Sequence, residues 1–152
     1  MLQIVLAGLH LIALGLGLGA IINRGTLLRE VPDPLSLRRV FRADTMWGVA
    51  ALLWLGTGIP RYLLGIEKGT AYYNSNYFFL AKMVLLLIIF LLEIWPMVTL
   101  IRWRIAVSRG ASAGVVAVPA TARLIATISH VQALLVVAMV FTAVAMARGY
   151  NV

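Results

Sequence analysis

The sequence predicts an all-α integral membrane protein, a bundle of four transmembrane helices with both termini on the outer side. Two observations predict the membrane class. Of the 152 residues, 62% are hydrophobic and only 12% are charged, whereas about a quarter of a soluble domain is charged. Such a chain has too little polar surface to cover a soluble core. A third observation, the unequal distribution of arginines among the loops, predicts the orientation.

Four apolar stretches are long enough to cross about 30 Å of hydrocarbon at about 1.5 Å per residue. We expect residues 1–152 to form a single membrane domain with helices at about 2–23, 44–64, 77–101 and 123–147. The first stretch has no basic segment before it, and its apolar run is too long for a signal peptide. We therefore expect it to be retained as a helix.

Arginines are concentrated in two of the three connections between these spans. The first connection carries Arg24, Arg29, Arg38, Arg39 and Arg42, and the third carries Arg102, Arg104, Arg109 and Arg123. The second connection has only Arg61 and Lys68, with Glu67 beside them. The positive-inside rule therefore places the two arginine-rich connections in the cytoplasm, where anionic lipids are the expected partners, and both termini outside.

The first connection also contains a helix signal. Asp33 followed by Pro34 is a favourable pair for the N-cap and first position of a helix. In the segment 34–42, apolar side chains alternate with arginines in a way that suits the headgroup boundary. We expect a short interfacial helix there.

The composition argues against several kinds of function. The chain has no cysteine, which excludes disulfides, thiolate-ligated metals and iron–sulfur clusters. The net charge of +8 fits loops that meet anionic lipid, and no basic run is interleaved with aromatic residues. Nucleic acid is therefore not an expected partner. Motifs of hydrolases and nucleotide-binding proteins are also missing from the sequence.

The first helix has two distinct faces at about 100° per residue. His10, Gly17 and Arg24 share one face, whereas a set of glycines lies on the opposite one. The glycine face consists of Gly8, Gly15 and Gly19. Gly15 and Gly19 form a small-xxx-small pair, which permits close approach of two helix backbones. We expect the glycine face to pack against another helix, within the bundle or in a homo-oligomer or larger complex.

Ionisable residues inside the spans form two predicted groups. His10 and Lys82 lie about 10 and 7 Å below the outer surface, with Arg61 above them. Glu93 and His130 both lie about 10–12 Å from the inner surface. Because an ionised group in hydrocarbon costs at least about 3 kcal/mol on insertion scales, we expect these side chains to point inward. The sequence therefore predicts a buried Glu93–His130 pair, while snorkelling remains an alternative for Lys82.

His10 is the better candidate ligand for a haem iron. A haem shared with His130 is disfavoured because the two histidines differ in depth by about 10 Å. A haem on His10 alone would have room beside Gly17. Its carboxylates could then pair with the side chains of Lys82, Arg24 or Arg61.

Motifs along nearly the whole chain resemble a bacterial family known only as predicted membrane proteins of unknown function (domain of unknown function 2214). The matching segments are Leu9-His10-Leu11, Arg42-Ala43-Asp44, Trp47-Gly48, Thr57-Gly58, Arg61, Glu67-Lys68-Gly69, Tyr72-Tyr73, Phe79 to Lys82, Pro96, Arg102-Trp103-Arg104 and Met146 to Gly149. The resemblance implies a multi-pass protein of the bacterial inner membrane.

That family is distantly similar to the four-helix bacterial protoporphyrinogen IX oxidases and to copper-resistance membrane proteins of like topology. His10 and Lys82 stand where the oxidases have a first-helix histidine and a third-helix lysine. This resemblance implies haem b or a related tetrapyrrole as cofactor. The chain departs from the oxidase pattern around Glu93, where a further histidine is usual.

Three functions are compatible with these features, and whether the protein is an enzyme stays open. The first is haem or tetrapyrrole binding with a redox role. The second is a non-catalytic accessory subunit of a larger membrane complex, held by the glycine face. The third is a small proton-coupled transporter that uses Glu93 and His130. The third is the least favoured, because the sequence has no pair of broken helices.

The predicted orientation can be tested by cysteine labelling, because the native chain has no cysteine. An impermeant thiol reagent added outside intact cells should label Asn74→Cys and should not label Ser112→Cys. The reverse pattern would show that the termini are cytoplasmic.

Overall fold

A computed structural model describes residues 1–30, 33–64 and 74–150 of the chain. These residues form four long helices and a helix of one turn, and none of them lies in a β-strand. In chain order the helices are α1 (Leu2–Leu27), α2 (Pro34–Leu63), α3 (Tyr77–Ser108), the short α4 (Ala113–Val116) and α5 (Pro119–Ala147).

The helices extend beyond the predicted spans at one end. α1 continues to Leu27, α3 continues to Ser108, and α5 begins at Pro119. Arginine has a high helix propensity, so a charge that marks a membrane boundary does not end the helix. The apolar runs therefore indicate where the long helices lie, but they underestimate the lengths of those helices.

The segment 34–42 is not a separate interfacial helix, which corrects the prediction made for it. It is the first part of α2, and its start is capped as the sequence indicated. The Asp33 carboxylate accepts a hydrogen bond from the Ser36 amide at 2.6 Å, and the Ser36 hydroxyl accepts one from the Asp33 amide at 2.9 Å. The bond from the Ser36 amide favours the ionised carboxylate and lowers the pKa of Asp33.

Two apolar side chains of this segment face the protein rather than the headgroups, whereas Leu35 is exposed. Leu37 and Val40 are each 1% exposed and belong to a cluster with Leu100, Trp103 and Ile125. Burial against three other helices removes more apolar surface from water and headgroups than contact with the membrane surface does. The segment therefore continues into α2 and packs inward.

Two clusters of buried side chains hold the long helices together. The first includes Leu28, Leu37, Leu100 and Ala122, and it lies where α1 and α3 end and α2 and α5 begin. We call this the arginine end of the bundle. The second cluster lies further along the helices and includes Ile21, Trp47, Ile89, Val136 and Met139.

Three of the long helices could cross a membrane by length and composition: α1, α3 and α5. α2 is not among them: Arg38, Arg39, Arg42 and Asp44 lie in its N-terminal part, and the part that follows is less apolar because it contains tryptophans, glycines, Pro60 and Arg61. Its apolar part nevertheless presents large side chains outward, as the other helices do. Leu52 of α2 is 72% exposed, Leu87 of α3 is 57% exposed and Leu134 of α5 is 71% exposed. An apolar outer surface of this kind suits contact with lipid.

α1 approaches its neighbours at glycines other than the predicted ones. A Cβ added at Gly17 would lie 3.3 Å from Ala50 Cβ and 3.3 Å from Trp47 Cζ3. At Gly8, Gly15 and Gly19 it would meet nothing within 4 Å. The glycine face therefore makes no close contact inside the bundle, and contact with another molecule stays a prediction. Gly17 lies against α2, so it does not provide the predicted space for a haem.

Candidate functional site

A buried arginine joins the four long helices. Arg24, in the last turn of α1, is 0% exposed. Its Nη1 donates to Asp44 Oδ1 at 2.9 Å and to Glu93 Oε1 at 2.6 Å. Its Nη2 donates to Glu93 Oε2 at 2.8 Å and to Gln132 Oε1 at 3.2 Å, and its Nε donates to Ser129 Oγ at 3.1 Å. We call these five residues the Arg24 cluster.

The partners of Arg24 are themselves held in place. Gln132 Nε2 donates to Glu93 Oε2 at 2.9 Å and to the Ile89 carbonyl oxygen at 3.1 Å. Ser129 Oγ donates to the Ile125 carbonyl oxygen at 2.8 Å. These bonds orient the acceptors toward the guanidinium, as in other fully satisfied buried networks.

A second arginine links the Arg24 cluster to the surface. Arg104 Nη2 lies 3.6 Å from Asp44 Oδ2 and donates to the Phe41 carbonyl oxygen at 2.9 Å. Its side chain is 45% exposed, whereas that of Asp44 is 14% exposed. Two guanidiniums thus face the carboxylates of Asp44 and Glu93, so the charges of the cluster are balanced.

This geometry corrects two predictions. Arg24 uses all five of its N–H groups on protein acceptors, so it has no donor left for a cofactor carboxylate. Glu93 pairs with Arg24 and Gln132, and it does not pair with His130. His130 Nδ1 is instead hydrogen-bonded to the Ala126 carbonyl oxygen at 2.6 Å, and its ring lies over Gly25.

The estimated depth of residues in the membrane could not predict the Arg24 cluster. Two residues at similar depth can lie on helix faces that point away from each other. Ser129 and Gln132 are three residues apart and share a face of α5, while His130 points elsewhere. The position of Arg24 on the same face of α1 as His10 and Gly17 was the available signal. Arg24 lies inside the bundle at the end of α1, and not in the connection after the first span where its charge placed it.

A second candidate site surrounds His10. Two cavities of about 460 and 450 Å³ share His10, Trp54, Lys82 and Met139 in their walls. Arg61 lines one of them. We call the two spaces the His10 cavities. The structure therefore brings together His10, Lys82 and Arg61, as the depth argument predicted.

The hydrogen bond of His10 assigns its tautomer. His10 Nδ1 lies 2.9 Å from Thr57 Oγ1. The single hydroxyl proton of Thr57 is directed to the backbone, since Oγ1 lies 2.8 Å from the Leu53 carbonyl oxygen and 3.1 Å from that of Trp54. Thr57 Oγ1 therefore accepts from His10, whose ring carries its proton on Nδ1. The lone pair of a neutral ring is then on Nε2.

The ring of His10 is also confined by its neighbours. Its centroid lies 5.6 Å from that of Trp54, and a Cβ at Gly58 would lie 3.1 Å from its Cε1. The Nε1 atom of Trp54 is buried and has no hydrogen-bond partner in the part of the chain that the structure describes. The walls of the His10 cavities thus include an imidazole hydrogen-bonded to Thr57 and a tryptophan whose buried N–H lacks an acceptor among the described residues.

Among residues 1–30, 33–64 and 74–150, no three or more histidines, aspartates and glutamates lie together in a way that could hold a metal ion. A haem ligand is a different case, because one imidazole suffices. The segments Glu67-Lys68-Gly69 and Tyr72-Tyr73 lie outside the described residues.

The family model described as Predicted membrane protein (DUF2214) matches residues 2–151, and the chain therefore belongs to this family. Neither a curated protein nor a solved structure matches the chain. The expected likeness to protoporphyrinogen IX oxidases and copper-resistance proteins stays a prediction.

Arg24→Met should destabilise the protein far more than Arg104→Met. The first change leaves two carboxylates buried without their main partner, at a cost of about 3–5 kcal/mol. The second removes an exposed partner, at a cost of about 1 kcal/mol or less. Thermal unfolding of both variants in detergent measures the difference, and equal shifts would show that the Arg24 cluster does not stabilise the bundle.

Proposed function

We propose that this member of the predicted-membrane-protein family binds haem b or a related tetrapyrrole in the His10 cavities, with His10 Nε2 as the iron ligand. In this proposal α2 is the fourth membrane span and both termini are outside. The observation that carries the proposal is a histidine whose Nδ1 is hydrogen-bonded to Thr57 Oγ1 and whose ring lines two cavities in an apolar bundle.

The residues around His10 are suited to binding a tetrapyrrole. The cavities of about 460 and 450 Å³ are within the range of about 300–1,000 Å³ that is usual for cofactor sites. Trp54, Phe79 and Met139 provide apolar and aromatic walls. Lys82 and Arg61 provide positive charge for carboxylates.

The unsatisfied indole of Trp54 supports the same conclusion. A buried N–H without an acceptor is rare and calls for an explanation. Trp54 lines both His10 cavities, so a carboxylate bound there could accept from Nε1 after a small rotation of the indole, whose Nε1 is otherwise buried. A tetrapyrrole with ionised side chains has such acceptors, whereas a purely apolar lipid chain does not.

Each residue has a definite task in this proposal. His10 binds the iron through Nε2, and Thr57 holds the ring in the tautomer that makes this nitrogen available. Lys82 and Arg61 bind carboxylates, and Trp54 shields the site from water. The bound haem would supply one-electron chemistry at its iron. The proposal assigns no substrate to the protein.

The other two functions have less support. The proton path predicted for a transporter depended on a Glu93–His130 pair, and these residues bind different partners in the structure. The open glycine face is compatible with an accessory subunit. That function becomes the favoured one if the purified protein proves to have no cofactor.

His10→Ala should abolish haem binding, and His130→Ala should leave it unchanged. The wild type purified in detergent from haem-sufficient cells should show a Soret band, because His10 supplies the axial ligand. His130 is the matched control, since it is the other histidine of the chain and lies outside the His10 cavities.

The absorption spectra of the three proteins at equal concentration provide the test. A colourless wild type that does not take up added haem would refute the proposal. A Soret band that persists in His10→Ala and disappears in His130→Ala would refute the assigned ligand.

Thr57→Val should weaken haem binding by about 10–100-fold, as is usual when the outer partner of a ligating histidine is removed. Valine has nearly the shape of threonine but has no acceptor for His10 Nδ1–H. Thr57→Ser should restore most of the affinity, because it keeps the hydroxyl. Haem titration followed by absorption measures the dissociation constant of each variant. Equal affinity in Thr57→Val and the wild type would show that Thr57 does not position His10.

A further inference from the structure

A groove on the outer surface of the bundle runs between α1 and α2. It has a volume of about 450 Å³. Gly15, Gly19 and Met46 line one part of it. Asn23, Arg39 and Arg42 line the part nearer the arginine end. We call it the α1–α2 groove, and it is distinct from the His10 cavities.

The apolar part of the α1–α2 groove is open because its floor is glycine. A Cβ at Gly15 or Gly19 would meet no atom within 4 Å, so none of the helices that the structure describes covers them. Gly15 and Asn23 are eight residues apart on α1, which corresponds to about 12 Å along the helix. The open floor is therefore long enough to receive part of an extended acyl chain.

The other part of the groove carries positive charge. Arg39 and Arg42 are exposed, and no carboxylate lines the groove. Arg42 forms no ion pair with any other residue that the structure describes. Guanidinium groups present planar sets of N–H donors that match phosphate oxygens. This end of the groove thus suits a phosphate, and the adjacent Asn23 amide can add a donor.

We propose that the α1–α2 groove is a binding site for an anionic phospholipid, with the phosphate on Arg39 and Arg42 and an acyl chain over Gly15 and Gly19. The charged end and the apolar floor of the groove lie next to each other, as the phosphate and the acyl chains of a phospholipid do. Its charged part lies at the arginine end, where the chain has its excess of positive charge.

A second copy of the chain fits the groove less well than a phospholipid does. Two copies in one membrane have the same orientation, so a symmetric contact through this face would place identical residues at the same depth. Arg39 and Arg42 would then lie near the same residues of the other copy, with no acid in the groove to offset the repulsion. A phospholipid instead brings the missing negative charge.

Native mass spectrometry of the whole protein in neutral detergent tests the proposal. Titration with phosphatidylglycerol should give tighter binding than titration with phosphatidylcholine of the same chain length. The double variant Arg39→Gln/Arg42→Gln should bind phosphatidylglycerol about 30-fold more weakly, if each arginine contributes the usual attraction to anionic lipid. Circular dichroism and gel filtration confirm that each variant is folded.

A matched control separates this site from general positive charge. Arg29→Gln/Arg38→Gln removes the same charge from the same region, and neither residue lines the groove. This variant should bind phosphatidylglycerol like the wild type, within about threefold. Equal losses in the two double variants, or equal binding of the two lipids, would overturn the proposal.

A second variant acts on the acyl part of the site and does not alter the charge. Gly15→Leu/Gly19→Leu should fill the floor and weaken phosphatidylglycerol binding while the oligomeric state stays unchanged. A variant that keeps its lipid affinity but loses an oligomer present in the wild type would overturn the proposal, because it would show that a second copy occupies the groove.

Discussion

Burial of the Arg24 guanidinium is the constraint on which the rest of the structure depends. A charged group with five N–H donors and no contact with water has to find its acceptors in the protein. No single helix can supply them, and here the acceptors are Asp44 on α2, Glu93 on α3 and two residues of α5. The rotation of each long helix about its axis is fixed by this requirement, because any other rotation would leave a buried charge without a partner.

The orientation of α1 connects this constraint to both candidate binding sites. His10, Gly17 and Arg24 follow one another at intervals of seven residues, about two helical turns, and therefore share a face. With Arg24 inside, Gly17 lies against Trp47 and Ala50, and His10 meets Thr57 of α2. Gly15 and Gly19 then face outward and form the floor of the α1–α2 groove.

The Arg24 cluster and the His10 cavities differ in what they can bind. In the Arg24 cluster the donors of the central arginine are already paired, so the cluster stabilises the bundle and has no capacity for a ligand. The His10 cavities instead have open volume bordered by His10, Trp54 and Lys82, and the buried Trp54 N–H has no partner among the described residues. Buried apolar side chains, including Trp47 and Ile89, lie between the Arg24 cluster and the His10 cavities. A ligand at His10 can thus bind without disturbing the ion pairs that hold the helices together.

The sequence by itself determined the membrane class, the approximate places of the four long helices, the inward face of α1 and the grouping of His10 with Lys82 and Arg61. These features follow from composition and from helical spacing within one element, which are local properties. Only the tertiary structure decided that Glu93 binds Arg24 rather than His130, that the segment 34–42 belongs to α2, and that the glycine face is open. Each of these depends on how neighbouring helices are rotated relative to one another. A rotation of about 100° exchanges one residue for the next at a contact, and the spacing of residues within a single helix does not contain that angle.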